Sequence, residues 1–213
     1  MNCGCVLSLG FDSREPRMLK TLAVALLSSS AFFAISVNAE NEFSEKELAS
    51  LPLSVQKFVT YNRHLIDDLG YAGVKAISFD ESKNGTALTA IIKNKNEKKY
   101  PVYSAVILDN LEGPTLLFKN YIKCVPTSLK KLVPRSIYID GQKISAQYMC
   151  IKGEGGEENN IGAYQIKNAE GRAFAHNAFS NNMFVFVKFE DVEVPFSSSG
   201  FSDIWEEASR PAL

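Results

Sequence analysis

Histidine, which enzymes often use for proton transfer and metal binding, occurs only twice in this chain of 213 residues. Tryptophan occurs once, and the net charge is −1. So balanced a charge excludes a general attraction to nucleic acid or to anionic membranes. The sequence contains no G-x-S-x-G nucleophile motif and no C-x-x-C motif. It therefore predicts no catalytic residue, no metal site and no cofactor.

The longest apolar run lies near the N-terminus, where Lys20 precedes a stretch from Thr21 to Ile35. A membrane-spanning helix needs about 20 apolar residues, and this run is shorter. It ends close to the small residue Ala39, and polar sequence begins at Glu40. We predict that residues 18–39 are a Sec-type signal peptide cleaved between Ala39 and Glu40. The expected location is the periplasm or the outside of a bacterial cell.

Residues 1–17 fit a signal peptide poorly, because two acidic side chains precede the apolar run. We interpret Met18 as the translation start and residues 1–17 as an extension upstream of it, with a start at Met1 as the alternative. Residues 40–213 then have the length of one globular domain.

The position of the mature N-terminus is a first testable prediction. Protein recovered from its host should begin at or within a few residues of Glu40, because the peptidase site precedes that residue. Intact-mass measurement would check this. A mass that still includes residues 18–39 would indicate an N-terminal anchor or a protein retained in the cytosol.

Two cysteines follow the leader, Cys124 and Cys150. Each ends an extended run in which alternate residues are apolar, so both sulfur atoms face an apolar side. An even pair in an exported chain predicts a structural disulfide.

Most of the chain after the first third alternates between apolar and polar residues, as strands do. Asn84-Gly85 and Asp140-Gly141 tolerate positive φ and predict tight hairpins. Residues 161–166 and 172–175 predict a further hairpin. Residues 183–189 are apolar on both faces, which indicates a strand covered on both sides.

Apolar residues at helical spacing occur near the two ends of the part that follows the predicted signal peptide. A capping box at Ser44 and Glu47 opens a short helix, and an apolar stripe from Leu51 to Leu69 predicts an amphipathic helix. Residues 201–209 predict a short C-terminal helix. The expected fold is α+β: an antiparallel sheet or sandwich of about eight strands with these helices packed on it.

The few candidate chemical groups all have simpler explanations. His64 lies opposite the apolar stripe, which predicts an exposed side chain, and His176 is predicted at a strand end. The polar loop 153–160 carries oxygen ligands but lacks the spacing of a calcium loop, so we expect a solvated loop. Asn84 opens a formal glycosylation motif that suits a hairpin turn equally well.

Charge is divided along the chain. Residues 83–152 have a net charge of +8, whereas residues 153–213 have a net charge of −6. The basic centre could pair with the acidic ends inside the fold, or it could present a positive face to an anionic envelope component or an acidic protein. For the second alternative we predict four turn lysines as the contact residues: Lys93, Lys95, Lys98 and Lys99.

The ending Val-Pro-Phe-Ser-Ser-Ser-Gly-Phe-Ser-x-x-Trp, residues 194–205, resembles the closing strand and helix of invasion-associated locus B proteins. Those are small exported bacterial β-sandwich proteins. The long N-terminal helix departs from that family, and no site residue is carried over from it.

Three functions are compatible with these features. We favour an exported, non-enzymatic binding protein whose ligand the sequence leaves open. The first alternative is a small exported hydrolase that would use His176 with a serine and an acid from other strands. The second is a structural or assembly subunit of the cell envelope.

Overall fold

Nine strands form one antiparallel sheet in the computed structural model, which describes residues 43–82, 85–94, 96, 101–109, 113–120, 124–125, 132–153 and 160–210. The strands are β1 Gly73–Ile77, β2 Thr86–Ile92, β3 Val102–Leu108, β4 Thr115–Asn120, β5 Val133–Ile139, β6 Gln142–Ile151, β7 Ile161–Ile166, β8 Phe184–Phe189 and β9 Val192–Ser197. The helices are α1 Glu45–Ala49, α2 Leu53–Asp67, α3 Phe79–Ser82, α4 Ala169–Asn181 and α5 Phe201–Ala208.

The strand order is β1-β2-β3-β4-β7-β6-β5-β8-β9, and every neighbouring pair is antiparallel. The chain crosses over twice, between β4 and β5 and between β7 and β8, where it passes through α4. The sheet curls until its two ends nearly close, with the main core on its inner face. The predicted antiparallel α+β fold is confirmed. The division into residues 1–17, 18–39 and 40–213 stays a prediction, because residues 1–42 lie outside the described residues.

Two local predictions for the N-terminal helices are confirmed. Ser44 and Glu47 form the reciprocal capping box of α1. In α2 the buried residues follow the predicted stripe: Val55, Phe58, Val59, Asn62 and Leu65. The stripe ends earlier than predicted, because α2 stops at Asp67 and leaves Leu69 51% exposed.

The β5–β6 hairpin has the predicted two-residue turn, with φ of 48° at Asp140 and 85° at Gly141. The connection between β1 and β2 is longer than predicted. The strands do pair, but α3 lies between them, so a two-residue turn does not connect them; Asn84 itself lies outside the described residues. The cause is local: the Ser78 amide donates to the Glu81 carboxylate at 2.8 Å, as in a capping box, and the Ser78 hydroxyl lies within hydrogen-bond reach of the carboxylates of Asp80 and Glu81.

The predicted hairpin over residues 161–175 is wrong in its second half. Residues 161–166 form β7, but residues 169–181 form α4. Asn168 caps this helix, with its side-chain oxygen accepting from the Gly171 amide at 3.2 Å. A Cβ on Gly171 would lie 2.9 Å from Ile144 and from Ile166, so the absent side chain lets α4 pack closely on the sheet.

Strand β8 is apolar on both faces because both faces are covered, as predicted. Val185 and Val187 belong to the main core inside the sheet. On the outer face, Phe184 and Phe186 form a second cluster with α2, in which the Phe58 ring stacks on Phe184 at 4.1 Å.

Helix α2 also joins the two edge strands of the sheet. The Tyr61 hydroxyl donates to the carbonyl of Glu193 on β9 at 2.6 Å, and the Asn62 side chain accepts from the Val74 amide on β1 at 2.9 Å. Burial, followed by the charge of Glu193, raises the pKa of Tyr61, which keeps this donor protonated. Pro195 has no amide to leave unpaired at the edge, and its carbonyl accepts from Thr89 at 2.5 Å.

Candidate functional site

An open groove of about 450 Å³ lies between α3, α5 and the strands β2 and β3. Its floor is mainly apolar, and two carboxylates stand at its rim. The lining residues are Phe79, Asp80, Gly85, Ile107, Ile204, Glu207 and Ala208.

The start of α5 is locked against α3, which fixes the width of this groove. The Ser199 carbonyl accepts from the Phe79 amide at 3.1 Å, and the Ser199 hydroxyl donates to Asp80 at 3.1 Å. Gly200 has φ of 76°, and a Cβ there would lie 2.7 Å from the Asp80 backbone nitrogen. Only glycine fits both the backbone angle and the close approach.

Asp80 is held as a carboxylate by its hydroxyl partners. Partial burial raises the pKa of Asp80, but hydrogen bonds from Ser78 and Ser199, with the Glu81 amide, outweigh burial and lower it. Among the described residues, no lysine or arginine nitrogen lies within 4.0 Å of Asp80 or Glu207. The groove therefore combines an apolar floor with negative charge that no described basic side chain neutralises.

His176 lies on α4, not at a strand end as predicted. Its Nε2 lies 3.4 Å from the Ser180 hydroxyl one turn further on, and its ring packs against Trp205 at 5.0 Å. Within the described residues no carboxylate hydrogen-bonds to His176. The pair therefore lacks, in this part of the chain, the acid that orients histidine in a catalytic triad.

His64 is an exposed surface residue, as predicted, and its Nδ1 lies 2.5 Å from Asp68. The described residues contain no group of three or more metal-ligating side chains. Asn84 and residues 154–159 of the polar loop lie outside the described residues. Asn160 at the end of that loop is buried, and it donates to the Cys124 carbonyl at 2.6 Å.

Only the first of the four predicted turn lysines is described. Lys93 follows β2 directly and is exposed, with its ammonium 5.7 Å from the centre of the Tyr71 ring. At this distance the ring attracts the cation without removing it from water. Lys95, Lys98 and Lys99 lie outside the described residues.

The structure describes five basic side chains from the +8 segment: Lys93, Lys119, Arg135, Lys143 and Lys152. None of them forms an ion pair within 4.0 Å with a described acidic residue. Four are exposed, and Lys119 is half-buried. Internal pairing with the acidic ends therefore does not account for these five charges in the described part of the chain.

The predicted disulfide joins Cys124 to Cys150 on β6, with their Cα atoms 6.0 Å apart. It fixes the start of the β4–β5 crossover to the sheet.

No helix in the described part of the chain is long and apolar enough to cross a bilayer.

Comparison with protein-family models, curated proteins and solved structures finds no match to this chain. The resemblance of residues 194–205 to a known family therefore carries no argument about function.

Proposed function

We propose that this chain is an exported binding protein that acts without catalysis and whose basic central segment contacts an anionic partner. The observation that carries the proposal is the set of five described cations, none of which has an ion-pair partner among the described acidic residues. Exposed positive charges of this kind attract an acidic protein or an anionic envelope component over a distance of about 8–10 Å.

Two features agree with export. Disulfides persist in oxidising compartments such as the periplasm, and Cys124 and Cys150 are bonded. The predicted signal peptide would deliver the chain there. The hydrolase alternative receives weaker support, since His176 and Ser180 share one helix and the described residues place no carboxylate on the histidine.

The contact can be tested by reversing the charge of Lys95, Lys98 and Lys99 together. We expect the Glu variant to bind poly-L-glutamate and phosphatidylglycerol vesicles about tenfold more weakly, with little change in thermal stability, because the sequence predicts a polar turn at these residues. Binding by the unaltered protein should also fall steeply with salt. Surface plasmon resonance over a salt series measures both effects.

A matched control reverses three exposed lysines outside the basic segment: Lys46, Lys75 and Lys188. This variant has the same change in net charge and should bind nearly as well as the unaltered protein. Equal weakening in both triple variants would show that only net charge matters. Unchanged binding in the first variant would remove the basic segment as the contact surface.

A further inference from the structure

We propose that the groove between α3 and α5 is a second binding site, which docks an extended basic segment of a protein partner. In this arrangement an apolar side chain of the partner enters the groove, and flanking lysine or arginine side chains reach Asp80 and Glu207. Its two carboxylates give it a charge opposite to that of the basic central segment, although Gly85 and Ile107 of its lining belong to that segment.

The apolar floor supplies the first half of the argument. Ile107 and Ile204 pack against the main core but stay partly exposed on the groove side, beside the fully buried ring of Phe79. Gly85 has φ of 62°, and a Cβ there would lie 3.2 Å from the Ile204 side chain. The glycine thus keeps the floor open between β2 and α5, where water now covers apolar surface.

The carboxylates of Asp80 and Glu207 at the rim of the groove determine the charge of the ligand. Asp80 already accepts hydrogen bonds from two serine hydroxyls, which hold it ionised and fixed in position. Glu207 stands on α5, one residue after Glu206, whose carboxylate has its own partner in Arg210 at 3.8 Å. Two negative charges beside an apolar floor repel nucleic acid and anionic lipid, and they favour a ligand that alternates positive and apolar groups.

The shape of the groove favours a polypeptide as this ligand. The groove is open along its length instead of enclosed, and its volume of about 450 Å³ accommodates a few side chains. The two carboxylates come from different elements, α3 and α5, and both line the groove. An extended segment with basic residues on either side of an apolar residue satisfies both carboxylates at once.

Three labelled peptides test this proposal by fluorescence anisotropy with the full protein. The first alternates lysine with leucine, the second alternates glutamate with leucine, and the third alternates lysine with glycine. We expect only the lysine–leucine peptide to bind, because the second has the wrong charge and the third cannot fill the apolar floor. Equal binding of the lysine–glycine peptide would overturn the proposal, since charge alone would then suffice.

Two substitutions place the peptide in the groove. Glu207→Lys reverses one rim charge, and Ala208→Phe fills the floor; each should weaken the lysine–leucine peptide about tenfold or more. Glu206→Lys makes the same charge change at a neighbouring position that does not line the groove, and it should have little effect. Equal affinity in the Glu207→Lys and Glu206→Lys variants would overturn the site.

Sedimentation of the protein alone distinguishes a foreign segment from a second copy of the chain. We expect no concentration-dependent association. Association that Glu207→Lys abolishes and Glu206→Lys does not would show that the occupant is another copy, which would overturn the partner proposed here. The lysine-to-glutamate variant of the central segment leaves the groove intact. Peptide binding therefore tests the groove, and binding to anionic partners tests the central segment, each independently of the other.

Discussion

Replacing Phe179 with alanine should lower the free energy of unfolding by about 3–5 kcal/mol. The ring is 2% exposed and contacts three other aromatic rings, those of Phe79, Phe118 and Phe201, at centroid distances of 5.9, 6.2 and 5.2 Å. It therefore joins α4 to α3, to the sheet and to α5. Removing it leaves a cavity that these elements cannot fill without moving. Equilibrium denaturation in urea measures the loss.

A matched control is Phe174→Ala on the same helix. Phe174 is only half-buried, so the same truncation should cost clearly less than at Phe179. Equal losses at the two positions would contradict a special role for the packing between the four rings, because alanine itself has the higher helix propensity. A loss below about 1 kcal/mol at Phe179 would contradict the packing described above.

The elements that sequence reasoning predicted correctly are those whose signal is local. The sequence alone shows that β8 carries apolar residues on both faces. It also shows that Asp140-Gly141 suits a hairpin turn, which requires positive φ at both residues. The α2 stripe is likewise a property of one segment. In each case the tertiary structure adds a partner to a preference that the segment already has.

Helix α4 escaped prediction because its signal is not local. Asn168 and Gly171 are typical turn residues, and here one caps a helix while the other allows a close approach to Ile144 and Ile166. The glycine is needed only when β6 and β7 are already in place. Helix α4 packs on the sheet with small residues, so its two faces differ little in hydrophobicity. The spacing of its apolar residues therefore did not indicate a helix, and a strand was predicted instead.

The candidate groove was also not predicted, because it too depends on contacts between residues far apart in the sequence. The groove draws on Asp80, Ile107 and Glu207, which are far apart in the sequence, and no motif connects them. Only the antiparallel pairing of β2 with β3 and the lock at Gly200 bring them together. The basic central segment, in contrast, was visible as composition, because net charge needs no knowledge of contacts.

The second large effect is expected at the disulfide. Replacing both Cys124 and Cys150 with alanine should lower the free energy of unfolding by about 4.5 kcal/mol. About 3.5 kcal/mol of this comes from the loop that the bond closes, with a sequence separation of 26 residues, and the rest comes from lost packing. The bond also anchors the β4–β5 crossover at the point where Asn160 contacts the Cys124 carbonyl. Denaturation of the oxidised protein and the double variant gives the difference.

Reduction of the unaltered protein separates the cross-link from the packing of the sulfur atoms. Dithiothreitol opens the loop of the unfolded state but leaves both side chains in place, so it should reproduce most of the loss seen in the double alanine variant. Cys150 is 2% exposed, and its truncation adds a packing loss of about 1 kcal/mol that reduction does not cause. The reduced protein should therefore lie between the oxidised protein and the variant. Equal stability of the reduced and oxidised forms would contradict the loop-closure argument, and free thiols titrating in the native, air-purified protein would contradict the disulfide itself.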